Sequence, residues 1–187
     1  ADALKMFTKE DFIPDGANKV LHTIAPIIAL VPALLTFAVV PFGGQYTLFD
    51  KEVNLVISDL DVGLLFVFAI ASLATYGYVI AGWSSNNNWS LLGAMRTASQ
   101  MISYEVTMGL TIIGVLMVYG TMKLTEIGAI QENIWMWGIF LQPLGFFMFM
   151  AASIAENKRI PFDAPEAESE LVAGSFTEYS GLKFGMF

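Results

Sequence analysis

Val62-Gly-Leu-Leu-Phe-Val-Phe-Ala-Ile-Ala-Ser-Leu-Ala-Thr-Tyr-Gly-Tyr-Val-Ile-Ala-Gly-Trp83 runs from end to end without a charged side chain. A helix rises about 1.5 Å per residue, so about 20 such residues cross the roughly 30 Å hydrocarbon core of a bilayer. Three further windows, Thr23 to Phe42, Ala98 to Gly120 and Ile134 to Ala155, are of similar length. The chain carries nine Lys and Arg and 17 Asp and Glu, yet the four windows contain one charged residue, Glu105. Buried helices of a soluble protein would need an apolar exterior for four such elements to hide behind. The pattern predicts an all-α fold, a polytopic transmembrane helix bundle with four complete spans, the start of a fifth and an acidic cytoplasmic loop. Residues 1–187 form one membrane domain on this reading, with spans about 23–42, 62–83, 98–120 and 134–155, the loop over 156–180 and the next span from about 181.

Composition narrows the chemistry. The chain is 56% hydrophobic and 14% charged, with mean hydropathy +0.62, where soluble domains carry about 25% charged residues. Without cysteine there is no disulfide, no cysteine nucleophile and no iron-sulfur cluster held by this chain. A single histidine, His22, leaves zinc, haem and di-metal sites almost no ligands. The net charge of -8 speaks against nucleic acid as a partner, because phosphate contacts need surplus Lys and Arg.

Pro26, Pro32 and Pro41 predict a kinked first span, tolerated in lipid where neighbours satisfy the freed carbonyls. Ala69, Ala71, Ala74, Gly77, Gly109 and Gly114 allow close helix approach, which matters where hydrophobicity cannot drive association. Lys5, Lys9, Lys19, Arg96, Lys158, Arg159 and Lys183 fall on one side of the bundle, and only Lys51 and Lys123 on the other. The positive-inside rule places the first side, including the acidic loop, in the cytoplasm or its matrix equivalent. Before the first span, Ala3, Leu4 and Phe7 share a face from which Lys5 and Lys9 are absent, as in an interfacial helix. The start at Ala1 and the apolar run Gly181 to Phe187 suggest a piece of a longer chain, and no secretory signal is recognisable.

Two features could carry chemistry. Glu105 sits seven residues inside its charge-free window, where a carboxylate is costly unless paired, protonated or hydrated. Desolvation there favours the neutral carboxyl, and Gly109, one turn on, leaves room for a partner or a water. The other reading is a structural, protonated donor between helices. The second feature is the acidic run Glu156-Asn-Lys-Arg-Ile-Pro-Phe-Asp-Ala-Pro-Glu-Ala-Glu-Ser-Glu-Leu. Asp163 and Glu166 stand at capping-box spacing with Pro165 in the first turn, so both could simply serve a helix start. Glu166 and Glu170 share a face while Glu168 points away, which suits a solvated face or a proton reservoir, with a divalent-cation site a distant third. Arg96 and Arg159 suit headgroup anchors, Trp83, Trp135 and Trp137 an aromatic belt, Asn86 to Asn88 a turn, and His22 an interfacial position before the first helix.

Ser90-Leu-Leu-Gly-Ala-Met-Arg96, continued by Gln100-Met-Ile-Ser-Tyr-Glu-Val106, resembles the third loop and fourth helix of the H subunit family of proton-translocating NADH:quinone oxidoreductase, respiratory complex I. Arg159-Ile-Pro-Phe-Asp163, Glu166-Ala-Glu-Ser-Glu-Leu-Val172 and Glu178-Tyr179 resemble its acidic loop, and Ala1 to Glu10 and Ala25-Pro26 match as well. The resemblance runs in order along the whole chain. The family has eight spans, so it implies a fragment covering the second to fifth and the beginning of the sixth. Lys158 stands where many members have Asn, and Ser175 where an aromatic is usual.

The resemblance implies a membrane subunit, inactive alone, of an NADH-driven proton translocase in a multi-pass bacterial inner membrane, the mitochondrial membrane being the lesser alternative. Its partners would be other membrane-arm subunits, the peripheral iron-sulfur arm, lipid and quinone, with no nucleic acid. Ubiquinone or menaquinone would be the substrate, with no metal or flavin held by this chain. Arg96, Arg159, Phe162 and Asp163 would lie at the quinone chamber, and Glu105, Glu156, Glu166, Glu168, Glu170 and Glu178 along the proton path. Coupled carboxylates can relay the charge change of quinone reduction. A homologous subunit of a membrane-bound hydrogenase or formate hydrogenlyase, and a stand-alone ion transporter, are the competing readings; no internal inverted repeat supports the last.

Overall fold

A computed structural model describes residues 2–43, 45–48, 51–163 and 174–187 of the chain, with side chains from 5–43, 55–163 and 174–187. Helix α1 (Asp2–Thr8) is followed by α2 (Lys19–Thr36), the strands β1 (Gln45–Leu48) and β2 (Lys51–Asn54), and the helices α3 (Gly63–Ala71), α4 (Leu73–Ser84) and α5 (Asn88–Tyr119). Beyond them come α6 (Leu124–Ile130), α7 (Gly138–Leu141), α8 (Pro143–Glu156) and α9 (Gly181–Gly185), with short 3-10 turns at Ile134–Met136 and Gly174–Phe176. The bundle is helical, as the apolar windows predict; the hairpin, pairing Gln45 with Asn54 and Leu48 with Lys51, is an addition in the first connection.

Among the described residues, three stretches are long and apolar enough to cross a membrane: Lys19–Thr36, Gly63–Ser84 and Asn88–Tyr119. Asn18 caps the first, its side-chain oxygen accepting from the backbone of Val20 and Leu21 at 3.2 and 3.3 Å. That capping draws His22 inside α2, where the sequence places it before the helix. The third stretch starts ten residues ahead of its charge-free window. Asn87 accepts from the Trp89 N–H at 3.0 Å and launches α5, so Arg96 rides on a helix and not in a connection. At 32 residues α5 is about 48 Å long, longer than the roughly 30 Å of a bilayer core. It ends at Gly120, whose φ of 71° is left-handed and whose N–H closes on the Leu116 carbonyl at 2.8 Å.

The fourth window is apolar throughout but helical in two pieces. Pro143 has no N–H to donate and drives Gln142 out of the helical region, to φ -140° and ψ 67°. Proline then occupies the first turn of α8, which has 14 residues. The freed Gln142 side chain donates to the Gly114 carbonyl at 2.7 Å and ties the break to α5.

Packing runs α2 on α4, α4 on α5 and α5 on α8. Small residues permit it: a Cβ on Gly82 would lie 2.3 Å from that of Ala94. Lys123 meets Asp59 and Asp61 at 3.4 and 3.2 Å at one end of the bundle. At the other, the Asn18 N–H bonds the Ser84 carbonyl at 3.0 Å, Lys183 pairs with Asp11 at 2.7 Å, and Asn87 meets Glu178. The segments predicted to share a side thus share an end.

Candidate functional site

The site is built on α5. Gln100 donates from Nε2 to the backbone carbonyls of Ala155 at 2.9 Å and Phe162 at 2.8 Å, clamping the end of α8 and the Arg159-Ile-Pro-Phe-Asp163 segment to one point of the long helix. One turn further on, the Tyr104 ring meets Phe162 edge-on at 5.4 Å between centroids. Phe162 N–H closes a turn on the Arg159 carbonyl at 2.8 Å. Of the residues expected at a quinone chamber, Phe162 and Asp163 are half-buried against this clamp, while Arg96 and Arg159 present exposed side chains.

The carboxylates divide into groups. Glu105 lies mid-way along α5, half-buried, its Oε1 buried without a hydrogen-bond partner among the described residues. The antiparallel register of α4 and α5 brings Ser72, at the junction of α3 and α4, to its level, and Glu156, the last residue of α8, feels its charge. Glu178 is elsewhere. It accepts from Asn87 Nδ2 at 2.8 Å at the start of α5, about 27 Å along the helix axis from Glu105. Glu166, Glu168 and Glu170 lie outside the described residues, as does the capping of a helix by Asp163 and Glu166.

Sequence reading missed four contributors. His22 is fully buried instead of interfacial, stacked on Tyr179 with centroids 4.0 Å apart and rings 5° from parallel. The Tyr179 hydroxyl lies 3.3 Å from Ser84 Oγ, and burial pushes this phenol above its ordinary range, against the opposing effect of the Ser84 bond. Lys158, 8% exposed, seats its ammonium 3.4 Å from the Tyr78 ring centroid and 5.0 Å from that of Phe176, a desolvated cation–π contact. Gln100 and Ser72 complete the set. The departure of Lys158 from the family pattern was the one available signal; the other three depend on contacts between distant segments.

Near the same end, Lys5, Met6, Lys9, Phe176, Tyr179 and Phe184 line a cavity of about 310 Å³ between α1 and α9. Its walls combine ammonium groups with aromatic and thioether surface, the mixture an amphiphile requires.

A model of the NADH dehydrogenase family matches residues 1–187. An H subunit of NADH-quinone oxidoreductase from Geobacter metallireducens is 54% identical over 187 residues, covering all of this chain and 56% of that protein. One from Geobacter sulfurreducens is 51% identical with the same coverage, and one from Helicobacter acinonychis is 49% identical over 188 residues, covering all of this chain and 57% of its own length. The chain spans little more than half the length of these curated relatives. A family match along the whole chain, together with apolar helices gathered around Glu105 and the clamped loop, shows that this chain belongs to the NADH dehydrogenase family.

Proposed function

We propose that the chain is part of a membrane subunit of proton-translocating NADH:quinone oxidoreductase, where it helps form the quinone chamber and links quinone reduction to the proton path. On this reading it is one membrane domain in a bacterial inner membrane, joined to other membrane-arm subunits and to the peripheral iron-sulfur arm. The observation that carries the proposal is the Gln100 clamp. It fixes the Arg159 to Asp163 segment, which resembles the family's chamber wall, on the same helix that holds Glu105, five residues away. Glu156 closes the triangle from α8.

The chemistry suits the task. Quinone reduction consumes protons at the ring oxygens, and a carboxyl that feels a neighbouring carboxyl's charge passes that change on as a shift in its own protonation. Glu166, Glu168 and Glu170 would extend the row, with Glu178 at its outer end. The amphipathic cavity by Lys5 and Phe184 supports an approach route for a molecule with a polar ring and an apolar tail.

A photoreactive quinone analogue, applied to the intact complex in membranes and mapped by mass spectrometry, tests the reading. Label on the peptide holding Arg159, Phe162 and Asp163, suppressed by excess native quinone, is expected. Saturating label confined to other subunits would refute a chamber role for this segment.

A further inference from the structure

The apolar run Gly63–Ser84 contains neither proline nor a charge near its middle, yet α3 stops at Ala71 and α4 starts at Leu73. The residue between them is Ser72. Its Oγ donates to the Phe68 carbonyl at 2.9 Å, the same oxygen that accepts the Ser72 N–H at 3.0 Å. Serine bonding back to the carbonyl four residues earlier bends a helix. The Thr75 N–H then reaches only three residues back, to Ser72, at 3.3 Å.

Beyond this break, α4 packs on α5. The two helices run antiparallel, with Gly82 against Ala94 and the Thr75 hydroxyl 3.8 Å from the Met101 sulfur, and the same register brings Ser72 to the level of Glu105, whose Oε1 is buried without a hydrogen-bond partner among the described residues. From α8, Glu156 is the charged group that feels Glu105. Gly109, the next turn of α5, has nothing among the described residues within 4 Å of where its Cβ would be.

A serine hydroxyl has one hydrogen and two lone pairs, a neutral carboxyl can donate, and a carboxylate can only accept. While Glu105 is protonated, its O–H can donate to Ser72 Oγ, and Ser72 donates onward to Phe68. Once Glu105 is ionised, the Ser72 hydrogen has a charged acceptor, and bonds to ionised acceptors are about twice as strong as neutral ones. The hydrogen then turns to Glu105 and leaves Phe68 with the backbone donor alone. We infer that Ser72 is a positioning residue for Glu105, and that its hydroxyl switches between Phe68 and Glu105 so that the α3/α4 break registers the carboxyl's proton. The inference rests on the reading of Glu105 as a proton-path residue.

The test is infrared difference spectroscopy of the whole oxidoreductase complex in its carboxylic C=O stretching region. The Glu105 band is identified by its absence in Glu105→Gln. In Ser72→Ala the band should move to higher frequency as its hydrogen bond is lost, quinone-dependent turnover should fall several-fold, and its pH profile should shift. Ser72→Thr, which keeps the hydroxyl, should restore band, rate and profile. An unmoved band in Ser72→Ala, or a Ser72→Thr complex behaving like Ser72→Ala, overturns the switch. Should Ser72→Ala fail to assemble, Ser72→Cys is read by the same band: a shift supports the switch and an unmoved band overturns it. A band that moves with Ser72→Ala while Glu105→Gln leaves turnover and pumping intact upholds the contact and refutes the proton path instead.

Discussion

Gln100 holds two carbonyls from two segments far downstream, so its removal should free the Arg159 to Asp163 segment without touching any titrating group. Gln100→Ala deletes the bonds to Ala155 at 2.9 Å and Phe162 at 2.8 Å. Each intramolecular hydrogen bond contributes a net of about 0.5–1.5 kcal/mol, so the pair is worth about 1–3 kcal/mol. That corresponds to roughly a 5- to 150-fold larger population of the detached segment. Hydrogen exchange on the intact complex should show faster exchange over 158–163, with the Tyr104–Phe162 contact loosened. NADH oxidation by an artificial acceptor that bypasses quinone should stay normal while quinone-dependent turnover falls. Gln100→Glu, which keeps the shape but offers acceptors to two carbonyls when ionised, should be at least as damaging. Unchanged exchange over 158–163 together with normal quinone turnover in Gln100→Ala would refute the clamp.

Two further outcomes follow from packing and charge. Gly93→Ala would place a Cβ 2.5 Å from the Gly174 Cα, backbone against backbone, and should cost about 1–3 kcal/mol and lower the assembled complex in membranes, whereas Gly109→Ala, with open space around it, should assemble normally. Single cysteines at the exposed positions Asn88 and Ile57 should react with an impermeant reagent from opposite faces of the membrane, Asn88 from the cytoplasmic one; both reacting from one face would refute the topology.

The membrane class was legible because a run such as Val62 to Trp83 has no polar route to a soluble core, and Glu105 was conspicuous as the one charge inside the four windows. What lay beyond reach was anything set by a local break or by a distant contact. Charge-free counting starts the third span after Arg96, since it cannot see that Asn87 caps a helix that already runs through Arg96. It passes over Pro143, because proline does not alter an apolar count, although it divides the fourth stretch. His22 looked interfacial from its position beside Lys19, but burial comes from Tyr179, which lies near the far end of the chain and stacks on its ring. Ser72 is one small hydroxyl in an apolar run; only its bond to Phe68 and its place at the level of Glu105 give it a role.

The most direct test of the proposed link between Glu105 and proton movement is NADH-driven proton pumping in inverted membrane vesicles carrying Glu105→Gln. Glutamine keeps the volume and one donor of the protonated acid but cannot exchange a proton. The account predicts an assembled complex with normal artificial-acceptor activity, and a loss of quinone-dependent turnover or of protons moved per NADH. Normal quinone turnover with a normal proton yield would contradict it and leave Glu105 a structural residue between helices.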